Sequence, residues 1–322
     1  AQWLGLPGNP PDAVAVCRDK AALRERLRTA GVRQPRYALV REPAGAAEAV
    51  ARTGLPCVVK PADDSGSTNV LLCVDESEVR AQIEKILAID TNVRGMPTAR
   101  TVLVEEYLDA PEYSVEMFSG EGRTVCVGIT AKSVTATPHF VEHRHLFPAP
   151  LPAATAEQIT ETVTAALDAA GIRLGATHTE VKLTADGPAL IEINPRPAGG
   201  MIPELIRLAT GVDLLGEQLR AALGRPPHLK AEGAGHAGIQ FVLADADGTL
   251  TAAHGTGEAA AVEGVESVLV TAAPGTPVRK PRSASDRLGH VIARHPEPEG
   301  VHAALDAARA LLRLDIEAEA RP

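Results

Sequence analysis

Glu180, Glu192, Asn194 and Arg196 have the residue types and the spacing to hold a divalent cation beside a phosphate. Thr177-His-Thr-Glu180-Val-Lys182-Leu-Thr alternates with period two. This puts His178, Glu180, Lys182 and Thr184 on one face and Thr179, Val181 and Leu183 on the other. The following stretch alternates as well, with Leu190, Glu192 and Asn194 on one face and Ala189, Ile191 and Ile193 opposite. Ala-Asp-Gly-Pro between the two is a hairpin signal, so Glu180 and Glu192 are expected almost opposite each other. Like charges so placed repel unless a cation lies between them. Two carboxylates and the Asn194 amide suit Mg²⁺, which completes its shell with water and nucleotide phosphates. The other reading of the hairpin is a solvated acidic face, or one neutralised by Lys182. Asn194-Pro-Arg196-Pro-Ala-Gly-Gly200 fixes an Arg directly after the carboxylates. There it can stabilise a charged transition state, or stand solvated on a surface loop.

Two further segments have phosphate or nucleotide chemistry. Lys60 ends a strand and opens the loop Asp63-Asp-Ser65-Gly66-Ser67-Thr68. Successive amides in such a loop can cradle phosphate oxygens, with the Lys as a compact charge at its root. It is neither a Walker A motif nor a G-x-G-x-x-G turn. Val102-Leu-Val-Glu105-Glu106-Tyr107-Leu108 is an apolar strand that turns acidic, with Glu112 four residues beyond Leu108. Backbone groups at such a turn can read an adenine amino group, and the later carboxylate can hold ribose hydroxyls. An ordinary amphipathic strand with a solvated end fits the same letters.

Elements must position these groups. The pattern predicts helices within 12–31, at 44–53, 76–89, 155–170 and 202–223, and a closing helix at about 299–313. Thr155 with Gln158 reads as a capping box, and Gly171 as the stop. Strands are expected at 37–40, 55–60, 70–74, 101–108, 112–117, 124–130, 177–184 and 189–194, with several more after Gly235 and a Pro/Gly/Ser-rich loop at 274–289. Hairpins and helices in succession indicate α+β, unlike the alternating βαβ of a plain dinucleotide-binding domain.

Composition narrows the partners. The chain has 322 residues and a net charge of −9, from 32 Lys and Arg against 41 Asp and Glu. That balance, with 2% aromatics, argues against nucleic acid and against an anionic membrane surface. No apolar run spans a bilayer and no secretory h-region is present, so a cytoplasmic protein is expected. Cys17, Cys57, Cys73 and Cys126 have neither metal spacing nor a disulfide pattern and read as buried thiols. The chain opens Ala1-Gln2-Trp3-Leu4 without an initiator Met, which points to a start partway through a longer product.

The ordered set Cys17-Arg-Asp-Lys20, Pro56-Cys-Val-Val-Lys60-Pro61, Ser65-Gly-Ser67, Glu105-Glu-Tyr-Leu108, Glu180-Val-Lys and Ile191-Glu192-Ile-Asn194-Pro-Arg196-Pro-Ala-Gly-Gly200 resembles the ATP-grasp superfamily. Within it, the set is similar to carboxylate–amine ligases of the bacterial L-amino-acid ligase kind, over about residues 12 to 315. The resemblance implies an ATP-grasp fold, two α+β subdomains clasping ATP, with a C-terminal mixed α/β extension. It divides the chain into a remnant N-terminal region at 1–50, a small lid at 51–107, a core at 108–225 and a C-terminal subdomain at 226–322.

It further implies that Lys20 and Lys60 contact nucleotide phosphates and that Ser65, Gly66 and Ser67 belong to the loop closing over them. Glu105, Glu106 and Leu108 would line the adenine pocket, with Glu112 on the ribose. Glu180, Glu192 and Asn194 would hold one or two Mg²⁺ ions (Mn²⁺ being an alternative), and Arg196 would be catalytic. Glu142, His145, Gly199, Gly200 and, more loosely, Lys132 would meet substrate. Such an enzyme would join a carboxylate, an amino acid in the first instance, to an amine through an acyl phosphate, releasing ADP and phosphate. The alternatives are bicarbonate or formate activation, as in biotin-carboxylase-like relatives, and an inert nucleotide-binding module. A homodimer is a family expectation. Family members usually carry a further N-terminal subdomain before Leu4-Gly-Leu-Pro-Gly8, for which this sequence has no counterpart, and the region from Gly235 departs from the family pattern.

Overall fold

Apolar alternation and helix caps build the architecture in chain order. The computed structural model describes residues 1–135 and 139–318. Its first half contains α1 (Pro11–Arg18), α2 (Lys20–Thr29), β1 (Tyr37–Val40), α3 (Ala46–Thr53), β2 (Cys57–Pro61), β3 (Leu71–Cys73), α4 (Glu76–Leu87), β4 (Val102–Glu106), β5 (Glu112–Gly120), β6 (Arg123–Val134) and β7 (Glu142–Phe147). Then follow α5 (Ala153–Ala170), β8 (Gly175–Thr184), β9 (Gly187–Asn194), α6 (Ile202–Thr210), α7 (Leu214–Ala222), β10 (His236–Val242), β11 (Gly248–His254), α8 (Thr256–Ala260), β12 (Val265–Val270), β13 (Pro277–Val278), β14 (Gly289–His295), α9 (Pro298–Leu311) and β15 (Arg313–Glu317).

Among the described residues the strands form three sheets, and every strand pair within them is antiparallel. A four-stranded sheet has the order β1-β4-β2-β3, an eight-stranded one β12-β14-β10-β7-β6-β5-β8-β9, and a small one β13-β11-β15. In the small sheet's neighbour the later chain is not a separate layer: β10, β12 and β14 continue the sheet that carries Glu180 and Glu192. The four-stranded sheet buries Val59 and Val104 against Ala46 and Ala49 of α3 and Val79 and Ile83 of α4. One face of the large sheet packs Val115, Val181, Leu190 and Ile193 against Leu23 and Leu27 of α2 and Ile159, Val163 and Leu167 of α5. The fold is thus α+β, as the order of elements predicts. Among the described residues no helix is long and apolar enough to cross a membrane.

Several expectations are corrected locally. The helical stretch after Asp12 is two helices, because Asp19 leaves helical geometry and its carboxylate caps the amides of Ala21 and Ala22. Thr155 forms no capping box: α5 begins at Ala153 after Pro152, without a side-chain cap. The helix expected over 202–223 is broken at Gly211, whose φ of 82° ends α6, and Asp213 caps α7. Glu142–Phe147 is a strand, and β15 follows the closing helix. The faces of β9 also differ. Glu180 pairs with Glu192 but Val181 pairs with Leu190, so Ile191 is the extra residue of a β-bulge. Leu190 therefore turns into the core with Val181 and Ile193, and Ile191 lines the cleft.

Candidate active site

A cleft of about 330 Å³ lies between the four-stranded and eight-stranded sheets. It is lined by Lys20, Lys60, Ser65, Gly66, Ser67, Glu105, Glu106, Leu108, Glu112, Glu142, His145, Glu180, Glu192, Asn194, Arg196, Gly199 and Gly200. These are all the residues expected from the sequence except Lys132, which lies beneath the floor with 1% of its side chain exposed.

At one wall, β4 and β2 bring Glu105 and Lys60 together at 2.6 Å, and α2 adds Arg24, whose Nε donates to Glu105 at 2.6 Å. Arg24 is fully buried, and its Nη2 donates to the carbonyl of Ile191 on the edge strand β9 at 2.7 Å. Burial opposes the charge on Glu105, but Arg24 and Lys60 outweigh it and hold the carboxyl below its ordinary range. Burial wins on Lys60, whose ammonium sits below the usual lysine range. The Glu105 carboxylate is therefore spent on two cations, and only its surroundings are left to meet a ligand.

Above this wall runs the loop after Lys60. Gly66, Ser67 and Asn69 have positive φ, which coils the chain tightly at this loop. Among the described residues the amides of Gly66 and Ser67 have no protein partner. Lys20, the first residue of α2, donates to the Asp64 carbonyl at 2.7 Å and pairs with Glu192 at 3.2 Å, tying this loop to the opposite sheet. Toward the open end, Glu106 pairs with Arg36 at 3.0 Å, and Tyr107 rests against Phe140 with ring centres 5.9 Å apart.

The floor is the large sheet. Glu180 and Glu192 are direct register partners on β8 and β9. Their charges are balanced by Lys132 and Lys20; Lys182 instead donates to the Ala110 carbonyl at 3.2 Å. Asn194 Nδ2 donates to Glu192 Oε1 at 2.7 Å, which leaves the amide oxygen as an acceptor. Burial opposes charge on Glu192, yet Lys20, Asn194 and Lys60 depress its carboxyl far below the ordinary range. Two carboxylates and an amide oxygen on one cleft floor are hard donors that fit Mg²⁺.

A different trio approaches more closely. Carboxylate oxygens of Glu112, Glu142 and Glu180 come within 4.8 Å of one another. That trio surrounds an ammonium: Lys132 Nζ lies 2.7 Å from Glu112 and 2.8 Å from Glu180, and it also pairs with Glu142. Burial disfavours the lysine charge, but Glu112, Glu180 and Glu142 overcome it and hold the group well above the usual range. Lys132 is thus the hub that keeps three acidic side chains in place. Behind Glu180, His178 lies 3.5 Å away, and its Nδ1 donates a 2.7 Å hydrogen bond to buried Glu116; burial opposes the charge, but Glu116 outweighs it and raises the imidazole to about 10.

At the far end, Glu142 meets His145 Nε2 at 3.2 Å and Arg287 Nη2 at 2.8 Å, besides Lys132. A carboxylate has about four lone-pair sites, so these three neighbours leave one. His145 Nδ1 is buried without a partner, so in this arrangement the ring orients Glu142 rather than presenting a free nitrogen. The loop of Gly199 and Gly200 crosses above: a Cβ on Gly200 would lie 2.9 Å from His145 Cε1, and its φ is 58°. Arg196 is exposed on this loop, with Nη1 donating to the Pro197 carbonyl at 3.0 Å.

Arg24, His178 and Arg287 are the residues that the sequence reading left without a role. Arg24 had a signal, since it falls beside Leu23 and Leu27 on the buried face of α2. Arg287 follows a Ser283–Asp286 capping box, which marks an ordered turn in the Pro/Gly/Ser-rich loop.

Comparison with known proteins gives a concordant picture. An ATP-grasp domain matches residues 53–204, and L-amino acid ligase C-terminal domain 2 matches residues 240–317. The chain is 37% identical over 293 residues to the uncharacterized protein y4rH of Sinorhizobium fredii, covering 91% of this chain and 60% of that one. It is 28% identical over 240 residues to carnosine synthase 1 of Gallus gallus, covering 71% of this chain and 26% of that protein. The chain thus spans less than two thirds of the length of these curated relatives. The crystal structure of an L-amino acid ligase from Bacillus licheniformis superposes with a TM-score of 0.83 at 24% identity, over 98% of this chain and 76% of that one, so the fold is shared.

Proposed function

Because this chain belongs to the ATP-grasp superfamily and carries a C-terminal domain of L-amino-acid ligases, we propose that it joins a carboxylate to an amine at the expense of ATP. The observation that carries this reading is the pairing of Glu180 with Glu192 on one cleft floor, with Asn194 and Arg196 beside them and the loop after Lys60 across from them.

ATP-grasp proteins bind ATP with Mg²⁺, and here Glu180, Glu192 and Asn194 would hold the metal. Bound Mg²⁺ would neutralise phosphate charge and orient the oxygens for in-line transfer. In this assignment the unpaired amides of Gly66 and Ser67 take phosphate oxygens, Lys20 and Lys60 add positive charge, and Tyr107, Leu108 and Phe140 bound the base, with Glu112 near the ribose. Glu105 acts indirectly, by fixing Lys60.

The first step is attack of a substrate carboxylate oxygen on the γ-phosphorus, which forms a P–O bond and breaks the β,γ bridge to give ADP and an acyl phosphate. The amine nitrogen then attacks the acyl carbon, the C–O bond to phosphate breaks, and the nitrogen loses a proton. Amide, ADP and phosphate result. Arg196, with no carboxylate partner among the described residues, is available to balance charge on the phosphoryl and tetrahedral species. Glu142, oriented by His145, offers its remaining lone pair to an ammonium. We assign the catalytic cleft to the lid at 51–107 and the core at 108–225, with the segment from 226 completing the substrate end.

Incubating the intact protein with ATP, Mg²⁺ and pools of amino acids, and measuring ADP and phosphate, tests the reading. Amino-acid-dependent release of both is expected. Release that needs bicarbonate and no amino acid, or no release with any carboxylate, would overturn it.

A further inference from the structure

We propose that Arg287 is a specificity residue that selects amine substrates bearing a carboxylate. The inference rests on the ligase reading above and extends it to a residue outside the ATP-grasp domain match at 53–204.

Arg287 is delivered to the cleft by a braced turn. Asp286 accepts hydrogen bonds from the amides of Arg282 and Ser283 at 2.8 and 2.9 Å and pairs with Arg279 at 2.8 Å, so the residue before Arg287 is fixed at several points. The guanidinium is then held on two sides. It stacks on the Phe241 ring at 3.8 Å, and its Nε and Nη2 donate to the Glu142 carbonyl at 3.3 and 3.1 Å. Nη2 also meets Glu142 Oε2 at 2.8 Å. Among the described residues Nη1 has no partner, and Arg287 lines the cleft with 15% of its side chain exposed. An anchored guanidinium with one unspent nitrogen can donate to an anion.

Three lysines in and beneath the cleft are committed to carboxylates: Lys60 to Glu105, Lys20 to Glu192, and Lys132 to three of them. Lys182 donates to the Ala110 carbonyl, and Arg196 sits on the loop directly after the metal-ligand candidates. Arg287 stands instead beside Glu142, at the substrate end, where the chemistry supplies an anion. The donor's carboxylate becomes a neutral amide carbonyl, but a carboxylate on the amine substrate stays charged throughout. Glu142 and Arg287, side by side, present the charge complement of a zwitterion whose ammonium and carboxylate are close together.

The test compares L-alanine with L-alaninamide, and L-phenylalanine with L-phenylalaninamide, as acceptors in amide formation followed by ADP release and product mass, with the donor held fixed. The ratio of kcat/KM for acid over amide is expected to fall about ten- to hundredfold in Arg287→Gln, the range of a lost charged hydrogen bond, and to be partly retained in Arg287→Lys. An unchanged ratio, with acid and amide losing activity equally, would show that Arg287 acts only by supporting Glu142 and would overturn the inference while leaving the ligase reading intact. Absence of amine-dependent turnover in the parent protein would overturn both. Should Arg287→Gln lose its melting transition, the Arg287→Lys comparison decides, since that variant keeps the positive charge beside Glu142.

Discussion

Arg24, Glu105 and Lys60 form a buried cation–anion–cation set in which each member depends on the others. Removing one partner of a buried pair leaves charge without compensation and costs about 3–5 kcal/mol. Arg24→Ala should therefore lower stability by about that amount in urea unfolding, with a second loss at the freed Ile191 carbonyl. A change under 1 kcal/mol would mean that the set contributes little. The same set fixes a pH dependence. Arg24 and Lys60 depress the folded pKa of Glu105 below its unfolded value, so its stabilisation is present above about pH 4.3, the ordinary Glu value, and fades as pH falls through the folded value. The slope is at most about 1.4 kcal/mol per pH unit for one such group. Glu105→Gln should flatten the acid limb of the stability profile, and an identical limb would place that dependence elsewhere. On the floor, Glu192→Gln should abolish Mg²⁺-dependent turnover, by at least about a hundredfold, while circular dichroism stays unchanged. Retained activity would remove Glu192 from the metal site.

The bulge in β9 and the loop after it convert a simple hairpin into a site. Without the extra residue Ile191, either Leu190 or Glu192 would face the wrong side, since a one-residue slip inverts a strand. The bulge lets Leu190 stay in the core and Glu192 in the cleft. Beyond Asn194 the chain folds back over His145 through Gly200, whose positive φ suits glycine and whose missing side chain makes room for the imidazole. Gly200→Ala should cost about 1–2 kcal/mol of stability from the backbone alone. Its Cβ would also press on His145 and displace Glu142, so kcat/KM should fall by more than the melting temperature implies. Normal turnover in a folded Gly200→Ala protein would show that this loop does not set the position of His145.

At the scale of the whole molecule, the two larger sheets face each other across a cleft, and Lys20 links the loop after Lys60 to the opposite side. A ligand that bridges both sheets should therefore order that loop. With a non-hydrolysable ATP analogue and Mg²⁺ at about a hundred times Kd, the protein should gain about 2.7 kcal/mol, and amides of residues 62–70 should exchange more slowly. Stabilisation without protection there would place the nucleotide elsewhere. Continuity of β10, β12 and β14 with the site-bearing sheet also means that the later chain is mechanically part of the site.

Sequence periodicity alone determined the hairpin of Glu180 and Glu192, the acidic-ended strand expected at 101–108 (Val102–Glu106 in the fold), the glycine-containing loop after Lys60 and the α+β order, because each is a short-range pattern of alternation and turn residues. It could not determine how charges are shared. The reading left Glu180 and Glu192 to a metal or to Lys182, whereas the fold also supplies Lys132 from β6 and Lys20 from α2, far apart in the chain. Helical spacing does not place the break at Gly211, where a left-handed glycine outweighs it. The bulge at Ile191 is hidden for a similar reason, since it shows only once β8 and β9 are paired and Leu190 must reach the core with Val181. Which oxygen of Glu142 is occupied, and that Arg287 stands beside it, are consequences of three segments meeting, and ion pairing at a few ångströms is decided by tertiary distance rather than by spacing along the chain.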